Sequence, residues 1–205
     1  MRVMDFKGSV GLLKRYRLKP IIFASASNKD FPALKRQAVK IGYPCVLKLY
    51  AREILHKSMA GAVITGIRDE PGLVAAHKSM LEIIHEHHIT RFELVLQPQV
   101  DGFEIIVGGK QDASFGPIVL FGFGGIYAEA LRQTAIRICP ITASQALEMI
   151  QEIPIPLDMH HKNQLADIIS RVARLMEKEA VKELDFNPIL INEDGCHIVD
   201  VRMLL

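Results

Sequence analysis

Apolar positions along this chain follow two rhythms, one close to the α-helical period and one of short continuous runs. Phe6, Val10, Leu13 and Tyr16 recur near the helical period and predict a helix over 5–17. Pro20 then leads Ile21-Ile22-Phe23, a short apolar run that reads as a strand. Asn28 to Lys40 predicts a helix, with Asn28 or Asp30 as its cap and Gly42 as its stop. Pro44 to Tyr50 is a strand, apolar apart from Lys48, and Ala62 to Ile67 is another. Pro71 to His88 is amphipathic, with Leu73, Ala76, Met80, Ile83 and Ile84 on one side of a helix.

In the second half, Phe92 to Leu96 and Phe103 to Gly108 are strands around a turn at Gln97 to Gly102. Pro117 to Phe121 is a strand that runs into a glycine loop, and Tyr127 to Arg132 begins a helix. Ser144 to Ile153 predicts a helix capped by Ser144, and Asn163 to Lys178 a long one, separated by a Pro-Ile-Pro break. Leu184 to Ile191 and Cys196 to Val201 are strands joined by Asn-Glu-Asp-Gly, a strong turn signal. Strands alternate with helices, yet hairpins also occur, so the expected class is α+β (mixed α/β) rather than an all-parallel sheet. Pro98 and Gly102 bracket a hinge, which gives expected subdomains at 20–97 and 98–205, with the opening helix packing on the latter.

Composition narrows the function classes. With 205 residues, 49% of them hydrophobic, the chain can bury a sizeable core as one domain or two small ones. A net charge of +2 with scattered positives provides no basic stripe, so nucleic acid is not an expected partner. Only Lys14-Arg15-Tyr16-Arg17 and Lys35-Arg36 form short basic clusters. The odd set Cys45, Cys139 and Cys196 contains no CxxC and points to a reducing compartment. The N-terminus lacks the apolar stretch of a signal peptide, and no run approaches the ~20 residues of a membrane span. A soluble cytoplasmic protein with no membrane partner is the expectation.

Four segments could carry chemistry. Lys48, inside an otherwise apolar strand, must either snorkel to water or meet an anion such as phosphate. The loop Ile54-Leu55-His56-Lys57-Ser58 gathers an imidazole, an ammonium and a hydroxyl; its histidine is either a surface-loop residue or a base, nucleophile or phosphoryl acceptor. Gly122, Gly124 and Gly125 lie between a strand and a helix start. Glycines there make either a tight turn or a close backbone approach to an anion. The segment fits neither a P-loop nor a full GxGxxG, because Tyr127 stands where the third glycine belongs. Finally, adjacent antiparallel strands would bring Asn187 beside Asp200, either as polar outward positions of a hairpin or as oxygen ligands suited to Mg²⁺. His85, His87, His88, His160 and His161 show neither HExxH nor paired-cysteine spacing, so zinc is not expected.

Taken in order, VLKLYAREILHKSMAGAV, LVLQPQV, EIIVG, FGPIVLFGFGGIYAE and LDFNPIL with the later VDVR resemble a known family. It is the ATP-grasp β subunit or domain of NDP-forming (ADP-forming) acyl-CoA synthetases, in the succinyl-CoA synthetase superfamily. The family patterns are SPDIxHKSDAGGV, VLVQxMV, EVIVG, FGPVVxFGLGGIYVE and LDINPL followed by an aspartate, and order and rough spacing agree across nearly the whole chain.

The resemblance implies an ATP-grasp fold of two small α+β subdomains clasping ATP or ADP with Mg²⁺. Lys48 would contact nucleotide phosphate. The backbone from Gln97 through Gln99 to Val100 would meet the adenine, with Glu104 on the ribose or phosphate side. Gly124 and Gly125 would shape the loop beside the phosphates, and Asn187 and Asp200 would hold Mg²⁺. His56 would relay a phosphoryl group between a partner's histidine and ADP. The family reaction converts acyl-CoA, ADP and phosphate into acid, ATP and CoA. This chain would supply the nucleotide half, and a CoA-binding α subunit or domain, in trans or in the same longer chain, the remainder.

The chain also departs from the pattern. Ala51-Arg52 replaces Ser-Pro, Met59 replaces an acid, Ala62 the second glycine, and Gln133 a helix acid. Pro154 to Lys162 lacks the family's Leu-Gly-Arg-Gly loop. Some relatives of this kind are non-catalytic modules with regulatory or scaffolding roles in larger fusion proteins, which is the alternative reading of these departures.

Overall fold

The structure is a computed structural model, and it describes residues 2–21, 23–27, 30–51, 61–125 and 133–205. The chain forms two compact units: Ile21–Gln99, and Met1–Pro20 together with Val100–Leu205. It opens with α1 (Phe6–Arg15) and then builds the smaller unit from β1 (Ala24–Ser27), α2 (Phe31–Ile41), β2 (Cys45–Ala51), β3 (Val63–Ile67), α3 (Glu70–Glu86) and β4 (Phe92–Pro98). The larger unit continues with β5 (Phe103–Asp112), β6 (Gly116–Phe123), β7 (Thr134–Ile138), α4 (Ala143–Glu152), α5 (Met159–Lys178), β8 (Glu183–Asn192), β9 (Gly195–Ile198) and β10 (Arg202–Leu204). The class is mixed α/β with antiparallel sheets.

In the smaller unit the sheet runs β1-β4-β2-β3. Alternation along β2 sends Cys45, Leu47 and Leu49 into a core with Leu94 and Leu96 of β4, closed by Leu34 and Ala38 of α2 and Leu73, Ala76 and Met80 of α3. Asp30 caps α2 by accepting from the Ala33 N–H at 3.0 Å, and Gly42 at φ +86° ends it. Asp69 caps α3 in the same way through Gly72.

In the larger unit the strand order is β10-β8-β5-β6-β7, with β9 also paired to β8. One sheet face buries Val107, Val119, Phe121, Leu184, Phe186 and Met203. Leu165, Ile169, Val172 and Met176 of α5 and Ala146, Met149 and Ile150 of α4 are buried with them. The N-terminus is laced to the last strand, Met4 N–H donating to Met203 O at 2.9 Å. α1 is tied to the end of α5, because the Tyr16 hydroxyl donates to Glu179 at 2.6 Å and Arg15 pairs with the same carboxylate.

Several elements differ from the sequence expectations. The first strand is Ala24–Ser27, paired with Leu96 to Glu93, rather than the apolar run before it: backbone pairing with β4 defines the strand, and small residues suffice for that. β7 was not anticipated. The cap of α4 is Thr142 instead of Ser144. Thr142 Oγ1 accepts from Gln145 N–H at 3.3 Å and Gln145 Oε1 accepts from Thr142 N–H at 2.9 Å, a reciprocal capping box. α5 begins four residues early because Asp158 caps it through His161 N–H at 2.9 Å. The expected last strand stops at Ile198 and resumes as β10, across from Pro188, which has no N–H to give to a ladder. The helix expected at Tyr127 to Arg132 lies outside the described residues. Among the described residues no helix is long and apolar enough to cross a membrane, and Cys45, Cys139 and Cys196 are free thiols.

Candidate functional site

In the smaller unit, Lys48 and Gln97 share a sheet face. Lys48 lies in register with Val63 of β3 and Val95 of β4, and Gln97 is paired with Val46. Because Leu47, Leu49, Leu94 and Leu96 turn toward the helices, alternation turns Val46, Lys48, Val95 and Gln97 to the other face. Both polar residues are well buried there, Lys48 at 5% and Gln97 at 4% exposure. A lysine so placed must be compensated by hydrogen bonds or negative charge, since a buried ammonium is otherwise costly. Gln99 is committed locally: its N–H donates to Pro44 O at 3.0 Å, and its side-chain oxygen accepts from Gly66 N–H at 2.6 Å.

In the larger unit, Glu104 and the two loop glycines form one contact set. Gly124 N–H donates to Glu104 O at 2.9 Å, extending the β5–β6 ladder beyond Ile105 and Phe123. A Cβ on Gly124 would lie 2.8–3.0 Å from the carbonyl carbon, oxygen and nitrogen of Ile105, so only glycine lets the loop approach β5 this closely. Gly125 has φ +56°, and a Cβ on it would collide with the Glu104 carboxylate. That carboxylate thus covers the glycine loop, and the glycines owe their identity at least partly to contacts within the chain.

The third cluster is on β8 and its neighbours. Pairs such as Ile189 with Ile198 on β9 and Asp185 with Arg202 on β10 belong to one common register. Carried across the gap between β9 and β10, that register sets Asn187 opposite Asp200. Leu184 and Phe186 are buried while Asp185 is half-buried and Asn187 exposed, which puts Asp185 and Asn187 on the face away from the helices. Asp200 is half-buried between buried Val199 and Val201, and its carboxylate accepts from Val201 N–H at 2.8 Å. The sequence analysis did not single out Asp185 as a site residue. Its place two residues before Asn187 in a strand was the signal that both share a face.

Asn187 and Asp200 are hard oxygen donors, and Mg²⁺ takes one or two protein carboxylates and completes its shell with phosphate oxygens and water. The donor set therefore fits a nucleotide-bound Mg²⁺. No three His, Cys, Asp or Glu side chains converge to hold a metal among the described residues. His161 instead lies between Asp158 at 2.7 Å and the Asn192 carbonyl at 2.8 Å, and His160 meets Gln164 at 3.0 Å. His56, with Lys57 and Ser58, lies outside the described residues.

The model of the ATP-grasp domain family matches residues 3–205. The beta subunit of acetate–CoA ligase [ADP-forming] I from Pyrococcus furiosus is 36% identical over 210 residues, covering 95% of this chain and 88% of that subunit. The acetate–CoA ligase [ADP-forming] I of Archaeoglobus fulgidus is 35% identical over 100% of this chain, which spans only 31% of that longer protein. Among solved structures, acetyl-coenzyme A synthetase 1 of Ca. Korarchaeum cryptofilum, in complex with coenzyme A and Ca-AMPCP, superposes with a TM-score of 0.88. It is 25% identical and covers 100% of this chain and 93% of that one. The same synthetase, solved with coenzyme A and Mg-AMPPCP, has its phosphohistidine segment pointing towards the nucleotide binding site; there the TM-score is 0.76 at 25% identity, over 98% of this chain and 92% of that one. The chain belongs to the ATP-grasp family, in the group that contains the beta subunits of ADP-forming acyl-CoA ligases.

Proposed function

We propose that this chain is the nucleotide-handling half of an ADP-forming acyl-CoA ligase, binding ATP or ADP with Mg²⁺ and passing a phosphoryl group through His56. The observation that supports this reading is the common register in which β9 and β10 pair with β8; continued across the gap between them, it would set two hard oxygen donors, Asn187 and Asp200, side by side. The beta-subunit relative, matched over 88% of its length, supports the same assignment.

In this scheme Lys48 neutralises phosphate charge from a buried strand position, and the backbone from Gln97 to Val100 meets the base, through groups other than the Gln99 N–H that donates to Pro44 O. Glu104, which lies against Gly125, contacts the ribose or phosphate side, and Gly124 with Gly125 keeps the loop close to β5. Asn187 and Asp200 hold Mg²⁺, which when bound offsets phosphate charge. Phosphoryl transfer depends mainly on such positioning and neutralisation. A neutral His56 nitrogen is the nucleophile: it forms the N–P bond as the bond from the terminal phosphorus to the ADP oxygen breaks, and the reverse step returns the group to ADP. The acyl and CoA steps require a CoA-binding partner chain or domain, consistent with a cytoplasmic enzyme whose relatives are both split and fused.

The test uses purified chain and calorimetric titration with ATP and Mg²⁺. Asp200→Asn and Asn187→Ala are expected to weaken Mg²⁺-dependent binding about 10-fold or more. With a CoA-binding partner present, His56→Ala is expected to abolish acyl-CoA-dependent ATP formation while leaving nucleotide binding intact. Nucleotide binding without turnover in the wild type would favour the regulatory-module alternative. No binding of Mg²⁺-nucleotide at all would remove the nucleotide reading.

A further inference from the structure

We propose that Arg202 is a phosphate-binding residue of the same site, holding an oxygen of the terminal phosphate beside the Asn187–Asp200 pair. This rests on the nucleotide reading above and adds to it a role for the arginine that ends the VDVR segment, to which the sequence analysis gave none.

The placement follows from the strands. Arg202 pairs in register with Asp185 on β8. Asp185 and Asn187 are two residues apart on β8, beside an irregularity in the pairing with β5 between Phe186 and Ile189, and their exposure against buried Leu184 and Phe186 puts them on one face. Arg202 stands in the same relation to Asp200. Its neighbours alternate accordingly: Val201 and Met203 are buried, at 4% and 0% exposure, while the Arg202 side chain keeps 27%. The guanidinium therefore lies on the face that carries Asn187 and Asp200, one step along from them.

Its bonding is incomplete. The Arg202 Nε is buried and has no hydrogen-bond partner. Its Nη2 stands 4.0 Å from Glu183, the outer limit of an ion pair. A buried N–H with no acceptor carries a desolvation cost that an arriving anion would relieve. Guanidinium is the group best shaped for that anion, since its planar fork matches two phosphate oxygens. The need for a cation here is also electrostatic. Glu183, Asp185 and Asp200 alternate to this side of the sheet or stand at its edge, and carboxylates alone would repel a polyphosphate. Mg²⁺ offsets part of that field, and a fixed positive charge next to it offsets more.

The plain competitor is that Arg202 only neutralises Glu183 and Asp185. The two readings separate by counting phosphates. With the full chain, Arg202→Met and Arg202→Lys are titrated with ATP, ADP and AMP in the presence of Mg²⁺, and each variant's melting curve is recorded. We expect Arg202→Met to weaken ATP binding about 10- to 100-fold, the scale of a charge-assisted hydrogen bond, and to change AMP binding less than about twofold. Arg202→Lys should keep the charge, lose the fork and fall between. Equal loss for ATP and AMP, or wild-type ATP affinity in a folded Arg202→Met, would overturn the assignment. If Arg202→Met does not fold, the ATP-to-AMP ratio of folded Arg202→Lys decides, and a ratio equal to wild type overturns it. A wild-type chain that binds no Mg²⁺-ATP would instead strike the nucleotide reading, a distinct outcome seen before any variant is made.

Discussion

Adding one methyl group to Gly124 or to Gly125 should reveal two different kinds of constraint in neighbouring residues. On Gly124 the new Cβ would lie 2.8, 2.9 and 3.0 Å from backbone atoms of Ile105, in the middle of the sheet. Backbone there cannot move without breaking β5 from β6 or β8, so the overpacking cost falls at the upper end of ~1–3 kcal/mol. Loosening the Gly124 N–H to Glu104 O bond adds ~1 kcal/mol. On Gly125 the constraint is softer. The positive φ costs an alanine ~1–2 kcal/mol, and the atoms in the way belong to the flexible end of Glu104, whose displacement costs ~1 kcal/mol. Glu104→Ala should therefore restore ~1 kcal/mol in the Gly125→Ala background and nothing in the Gly124→Ala background. Amide hydrogen exchange across β5 and β6 measures this within the larger unit, free of any separate melting of the smaller one. Equal rescue at both glycines, or a Gly124→Ala chain as stable as wild type, would refute the argument that β5 backbone rather than Glu104 fixes Gly124.

Two further perturbations test the helices. Thr142→Ala removes the reciprocal cap of α4 and should cost ~1 kcal/mol, whereas Ser144→Ala should stay within about 0.5 kcal/mol, both by urea denaturation followed by circular dichroism. Burial against Phe31 lowers the His77 pKa below its ordinary 6.5. The unfolded chain then binds a proton that the folded one resists, so this contribution is complete above 6.5 and is lost progressively as the pH falls through and below it. Melting temperatures at two pH values on either side should show a smaller acid shift in His77→Leu than in wild type; an identical shift would exclude His77 as the source.

What the sequence revealed about the site follows from how far each feature depends on local counting. The Asn-Glu-Asp-Gly turn closes on the Asn192–Gly195 pair, and from there the register can be counted outward to Asn187 and Asp200 without knowing any other part of the fold. Lys48 was legible as a strand residue, whereas Gln97 was assigned to the turn and lies inside β4; that the two share a face depends on pairing β2 with β4, between which β3 and α3 intervene. Local patterns failed where a contact came from a distant segment. β7 is an edge strand whose Ile136 and Ile138 remain more than half exposed, so its apolar residues do not follow the core pattern. The start of α5 was missed for a local reason: Asp158 caps it through one side chain, outside the apolar period. From sequence the glycine loop was either a tight turn or a close backbone approach to an anion; in the fold Gly124 is demanded by Ile105 and Gly125 is covered by Glu104. If a phosphate is to lie against that loop, the Glu104 carboxylate must turn away from Gly125 or share the site with a cation. The role proposed for Glu104 would then depend on a cation arriving with the phosphate rather than on the glycines themselves.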